Sequence, residues 1–147
     1  MNNKVKYNLL LFIQLLIVLA AIFGSLFFSE IMHFPPCNLC WYQRICIYPM
    51  AFILLTGIYL KSNETTAFLL PFSIVGLGIS IYHNLVYYKI ISIFIPCSES
   101  APCTAQQLNW FGFITIPMLS LSTLILLLGL NLATILISKK IRDSYEK

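Results

Sequence analysis

Charge is absent from long stretches of this chain. From Tyr7 to Ser29 every side chain is uncharged, and Lys6 and Glu30 bracket the run. A second run, Trp41 to Leu60, is interrupted only by Arg44. A third covers Thr65 to Tyr88 and a fourth Phe111 to Ile137. About 20 apolar residues cross a bilayer as a helix. Lipid offers no partner to open backbone groups, so helix is the only conformation such segments can take there. The pattern predicts an all-α integral membrane protein, a four-transmembrane-helix bundle. The spans are expected near residues 7–29, 41–60, 65–88 and 111–137, in one membrane domain covering residues 1–147. The turn Lys61-Ser62-Asn63-Glu64 is short, which makes helices 2 and 3 antiparallel neighbours.

Composition agrees. Of 147 residues, 59% are hydrophobic and 10% charged, too few charges to cover a soluble domain. The first run outlasts the ~7–15 apolar residues of a secretory signal and has no Ala-x-Ala-like site at its end, so it is expected to remain as a spanning helix. Lys4, Lys6, Lys61, Lys139, Lys140, Arg142 and Lys147 fall on one side of a four-span layout. Only Arg44 and Lys89 fall toward the other. Basic residues mark the cytoplasmic side. Both termini are therefore expected in the cytoplasm of a multi-pass cell-membrane protein, with the loops near 30–40 and 89–110 outside. The formal charge of +4 follows from this bias and does not point to nucleic acid.

Finer features follow the same frame. Trp41, Tyr42, Tyr87, Tyr88 and Trp110 gather at the expected outer ends, as an interfacial belt would. The small pairs Ala20/Gly24 and Gly76/Ser80 are candidates for close helix approach. Gln14, midway along the first span, is expected to bond across helices. Ile90 to Ile95 is apolar yet outside the spans, which suggests a short helix on the membrane surface, or a continuation of helix 3 with Lys89 snorkelling.

The candidate chemistry sits on the outer side. Cys37-Asn38-Leu39-Cys40 follows Pro35-Pro36, which force an extended approach to helix 2. Cys40 then lies in the first helical turn, where unpaired N–H groups and the macrodipole favour a thiolate. Arg44, at i+4 from Cys40, shares its face and can steady a thiolate or the charge on a reduced acceptor. His83 in helix 3 is expected at a similar depth, so a pocket between helices 2 and 3 would join cation and proton carrier. Cys97 and Cys103 form a second pair in a polar loop. Two dithiols facing an oxidising compartment point to redox work, because exposed disulfides of this kind are labile. No metal is assigned to this site. Cys46 reads as a small buried apolar residue.

The motif Cys37-Asn38-Leu39-Cys40-Trp41-Tyr42-Gln43-Arg44, with Tyr82-His83, the second cysteine pair and Trp110-Phe111-Gly112-Phe113 before Pro117, resembles the DsbB family of disulfide-formation proteins, and most its BdbC branch from Gram-positive bacteria. The resemblance implies a quinone-dependent thiol oxidase. Cys97 would form a mixed disulfide with an extracytoplasmic DsbA-like thioredoxin-fold partner. Cys103 would be displaced and attack Cys37. Cys40 would leave as a thiolate and pass electrons to a membrane quinone, menaquinone or ubiquinone, with Arg44 and His83 binding it. The spacing of Cys97 and Cys103 is shorter than in the best-known members, and Cys46 matches no family role. Two other readings use the same cysteines: a membrane protein binding metal through all four of Cys37, Cys40, Cys97 and Cys103, and a scaffold with two structural disulfides.

Overall fold

A computed structural model of the chain describes residues 3–33, 35–62, 64–91 and 115–145. It contains α1 (Asn3–Leu26), a π-helical turn (Phe27–Ile31), α2 (Asn38–Tyr59), α3 (Thr65–Tyr87) and α4 (Ile116–Tyr145). All four α-helices are long and apolar enough to cross a membrane. They form an antiparallel ring in which α1 and α3 each pack on both α2 and α4. Large apolar residues such as Phe12, Phe52, Phe68 and Leu136 lie exposed on the outside. Such a surface suits lipid and would be costly in water.

Inside, Leu11, Leu15 and Val18 of α1 meet Met50 and Leu54 of α2, Leu69 of α3, and Leu124 and Leu127 of α4. Polar groups in this core are joined across helices. Gln14 Nε2 donates to Thr134 Oγ1 at 2.9 Å, as its place in the first span suggested. Asn131 Nδ2 donates to Ser73 Oγ at 3.3 Å, and Asn84 Nδ2 to the Pro117 carbonyl at 2.9 Å. Such bonds select one helix register, because an unpaired polar group in this setting is expensive.

The two small-residue pairs behave differently. A Cβ on Gly76 would lie 3.2 Å from Leu124 Cδ2 and 3.3 Å from Cys46 Cβ, so glycine allows the close approach here. A Cβ on Gly24 would meet nothing within 4 Å. Gly24 borders open space instead, and that space belongs to the site described below.

Helix limits depart from hydropathy limits. α4 continues through Lys139, Lys140 and Arg142 to Tyr145, since backbone hydrogen bonding does not stop where lipid does. At the other end of α3, Tyr88 N–H bonds to the Asn84 carbonyl at 3.0 Å and Lys89 turns left-handed at φ 57°. The helix therefore closes at Lys89 and does not run straight on. The segment 92–114, including Cys97, Cys103 and Trp110 to Phe113, lies outside the described residues.

One end of the bundle gathers the start of α1, the α2–α3 turn and the end of α4. Tyr7 Oη donates to the Ser62 carbonyl at 3.0 Å, as does Thr65 Oγ1 at 3.0 Å. Arg142 reaches Glu64 at 3.8 Å, an exposed pair of small energetic weight. We refer to this as the lysine end and to the opposite one as the cysteine end.

Candidate redox site at the cysteine end

Cys37 is the N-cap of α2, with extended φ −69° and ψ 165°, as the preceding prolines require. Its Sγ accepts the Cys40 backbone N–H at 3.4 Å. Sulfur thus serves as the capping acceptor that serine or aspartate usually supplies. The two thiol sulfurs lie 2.7 Å apart. On its other side Cys37 Sγ is 3.7 Å from His83 Nε2, and the Gln43 amide is 3.5 Å from His83 Nδ1. Cys37, Gln43 and His83 are all buried.

Cys37 stands just before the spanning helix, and its thiol is held well below the usual thiol range. The hydrogen bond from Cys40 is the chief cause, and burial opposes it. His83 and the Cys40 backbone N–H add to the lowering. The thiolate also faces the positive end of the α2 dipole.

Arg44 is buried and turned toward α1. Its Nε donates to Ser25 Oγ at 2.8 Å and its Nη2 to the Ser25 carbonyl at 2.9 Å, while its guanidinium lies 5.3 Å from the centre of the Trp41 ring. Ser25 lies two residues before the π-helical turn that follows α1. Such turns recur at functional sites.

Between α1, α2 and α4 lies a cavity of about 250 Å³ whose walls include Gly24, Phe28, Cys40, Arg44, Ile47 and Leu119. Its surface is mostly apolar. Ala20 and Gly24 leave this space open. The sequence therefore located the small pair correctly but not its use.

Arg44 and His83 do not share a pocket between helices 2 and 3. Arg44 lines the α1–α2–α4 cavity, and His83 faces Cys37 and Gln43 from α3. Gln43, the neighbour of Arg44 in α2, reaches His83, so Arg44 and His83 lie at a similar level along the bundle. Azimuth separates them, because one residue turns an α-helix by about 100°. Gln43 therefore faces α3 and Arg44 faces α1. The cysteine pair lies between, with Cys37 beside the histidine and Cys40 on the cavity wall.

Two participants were missed in the sequence. Ser25 looked like one more small residue in an apolar span, and its only signal is being a hydroxyl near the same end as Arg44. Gln43 is part of the quoted motif, but nothing in the linear pattern pairs it with His83.

The profile of the disulfide bond formation protein DsbB family matches residues 7–136. The chain belongs to the DsbB family. It is 42% identical over 130 residues to "Disulfide bond formation protein C" of Bacillus subtilis (strain 168), covering 87% of this chain and 91% of that protein. It is 43% identical over 129 residues to "Probable disulfide formation protein C" of Halalkalibacterium halodurans, covering 86% and 92%. The "SPbeta prophage-derived disulfide bond formation protein B" of Bacillus subtilis (strain 168) is 37% identical over 133 residues, covering 88% and 90%. No solved structure matches the chain significantly. This DsbB-family chain is a multi-pass membrane protein and a thiol–disulfide oxidoreductase.

Proposed function

We propose that this protein reoxidises the dithiol of an extracytoplasmic, DsbA-like thioredoxin-fold oxidase and passes the electron pair to a membrane quinone, menaquinone or ubiquinone. The observation that carries the reading is a capped dithiol whose second sulfur, Cys40, forms the wall of an apolar cavity beside a fixed guanidinium. A quinone ring suits such a site: its faces are apolar, and a carbonyl oxygen can accept from Arg44. Bound there, a quinone supplies an acceptor for two electrons and two protons.

The chain's own residues divide the remaining work. Ser25 holds Arg44 so that its charge faces the cavity without reorganisation. Cys40 presents sulfur to the acceptor side. Cys37 stays on the far side, where His83 can take or return its proton and Gln43 holds the imidazole. In this arrangement His83 acts on the acceptor through Cys37. Cys97 and Cys103 complete the relay. A partner thiolate attacks Cys97, and Cys103 leaves as a thiolate. Cys103 then attacks Cys37, and Cys40 leaves. The partner's second thiolate then displaces Cys97 and leaves the partner as a disulfide. Cys97 attacks Cys103 and displaces Cys37, so one electron pair and two protons come to rest on Cys37 and Cys40. The cysteine end faces outward and the lysine end faces the cytoplasm of the cell membrane, following the basic-residue bias.

Thiol trapping tests this reading. Reduced protein, held without oxygen, should lose the Cys37 and Cys40 thiols when quinone is added and keep them when it is not. Equal reoxidation with and without quinone would overturn the assignment of the acceptor.

A further inference from the structure

Three soft ligand atoms meet at the cysteine end. One sulfur each from Cys37 and Cys40 and an imidazole nitrogen of His83 all lie within 4.8 Å of one another, the one such cluster among the described residues. We propose that the reduced site binds a thiophilic divalent cation, Zn²⁺ in the first instance, through Cys37 Sγ, Cys40 Sγ and His83 Nε2, with Gln43 supporting His83. This inference does not rest on the quinone reading.

Geometry favours it. Zn–S bonds of about 2.3 Å and Zn–N bonds of about 2.0 Å in a tetrahedron set sulfur–sulfur edges near ~3.8 Å and sulfur–nitrogen edges near ~3.6 Å. Cys37 Sγ and His83 Nε2 already stand 3.7 Å apart. The sulfur pair, at 2.7 Å, must open by about 1 Å. Cys40 has room to do so, since it is only half-buried and borders the cavity. Cys-x₂-Cys is also the usual spacing of a zinc-binding half-site.

The surroundings complete the site. The Gln43 amide nitrogen lies 3.5 Å from His83 Nδ1. Turning the amide over puts its oxygen there to accept the Nδ1 N–H, which leaves the Nε2 lone pair for the cation, the outer-sphere support that ligating histidines usually have. Two thiolates and a neutral imidazole cancel the charge of the cation. Arg44 therefore faces a neutral assembly, and its guanidinium is held on Ser25 of α1. Three protein ligands leave one position for water. Both sulfurs must bind as thiolates and the imidazole as the neutral ring, so the affinity falls in acid. Oxidation of the pair to a disulfide removes both thiolate ligands. Only the electron-loaded site can bind, and the bound cation withholds its sulfurs from any oxidant. Extracytoplasmic zinc thus acts as a redox-gated inhibitor of reoxidation.

The test uses full-length protein in detergent with Cys97→Ala and Cys103→Ala, so that loop thiols do not contribute. Zn²⁺ binding is measured by chelator competition under anaerobic, reducing conditions. One equivalent should bind, and the disulfide form should bind none. His83→Ala should weaken binding at least tenfold, and His83→Cys, which restores a ligand, should recover most of it. Gln43→Leu should cost roughly 10–100-fold, and Cys46→Ala should change nothing. With Co²⁺ as probe, a sulfur-to-cobalt charge-transfer band should appear and vanish in Cys37→Ala. Equal affinity with and without His83, equal binding by the disulfide form, or no stoichiometric binding by folded reduced protein would each overturn the proposal. None of these measurements involves quinone, so their failure is separate from failure of the acceptor assignment.

Discussion

The two ends of the bundle handle polar groups in different ways. At the lysine end and through the middle, polar side chains serve packing: Gln14 bonds to Thr134, Asn131 to Ser73, and Tyr7 to the Ser62 carbonyl, around an interior filled by Leu11, Leu54, Leu69 and Leu127. At the cysteine end the helices part. α1 widens into a π-helical turn, Gly24 leaves space, and buried polar groups converge on a dithiol and a cavity. A close-packed interior resists change, whereas the proposed exchange of a quinone and a protein partner needs a site that is not filled. On that reading the closed half supports a less tightly packed candidate redox half, and substitutions in the two should separate stability from chemistry.

The sharpest contrast should come from Cys40→Ala. Quinone-dependent reoxidation of the partner should fall to background, while the unfolding midpoint stays near that of the parent protein. A large loss of stability would mean the pair is chiefly structural, as in a scaffold.

Leu54→Ala should do the reverse. Truncating this fully buried side chain should cost about 2–5 kcal/mol, read by denaturant titration in detergent, with turnover per folded molecule retained. Loss of turnover in protein that is still folded would show that the closed half is not an inert support.

Acidity of the site gives the next effect. Because the Cys37 thiol is held below its ordinary value, its thiolate should persist into acid. The alkylation rate of Cys37 in reduced protein should stay near its neutral value well below pH ~8.5, where a free thiol loses reactivity. In Cys40→Ala the chief cause of the lowering is gone, so the rate should fall off at higher pH. Coincident profiles for parent and variant would remove Cys40 as the cause.

The anchor of Arg44 should matter less than Arg44 itself. Arg44→Leu should raise the apparent quinone KM markedly, and Arg44→Lys should recover only part, since a point charge replaces a planar fork. Ser25→Ala removes one of two bonds to the guanidinium and should cost about 1 kcal/mol, roughly a fivefold rise in KM. An unchanged KM in Ser25→Ala would detach the anchor from the acceptor site.

Smallest is the polar clasp of the closed half. Gln14→Leu should lower stability by about 0.6 kcal/mol, the scale of a hydrogen bond between membrane helices. A larger loss would show that register depends on this one bond.

Sequence by itself determined the four helices and singled out the candidate motif. Lipid thickness and the need to satisfy every backbone group leave so few options that uncharged length is nearly enough. Local rules also carried the start of α2: the prolines imposed an extended approach, Cys37 became the cap, and Cys40 fell in the first turn. Tertiary structure decided which faces meet. Arg44 and His83 agree in depth but differ in azimuth, so one turned to Ser25 and the cavity and the other to Cys37 and Gln43. Gly76 and Gly24 look alike in the chain, yet one admits Leu124 and Cys46 and the other leaves open space. The physical reason is common to both cases. Span and capping depend on neighbours along the chain, whereas a pocket depends on the rotation of each helix, set by packing among residues far apart in sequence.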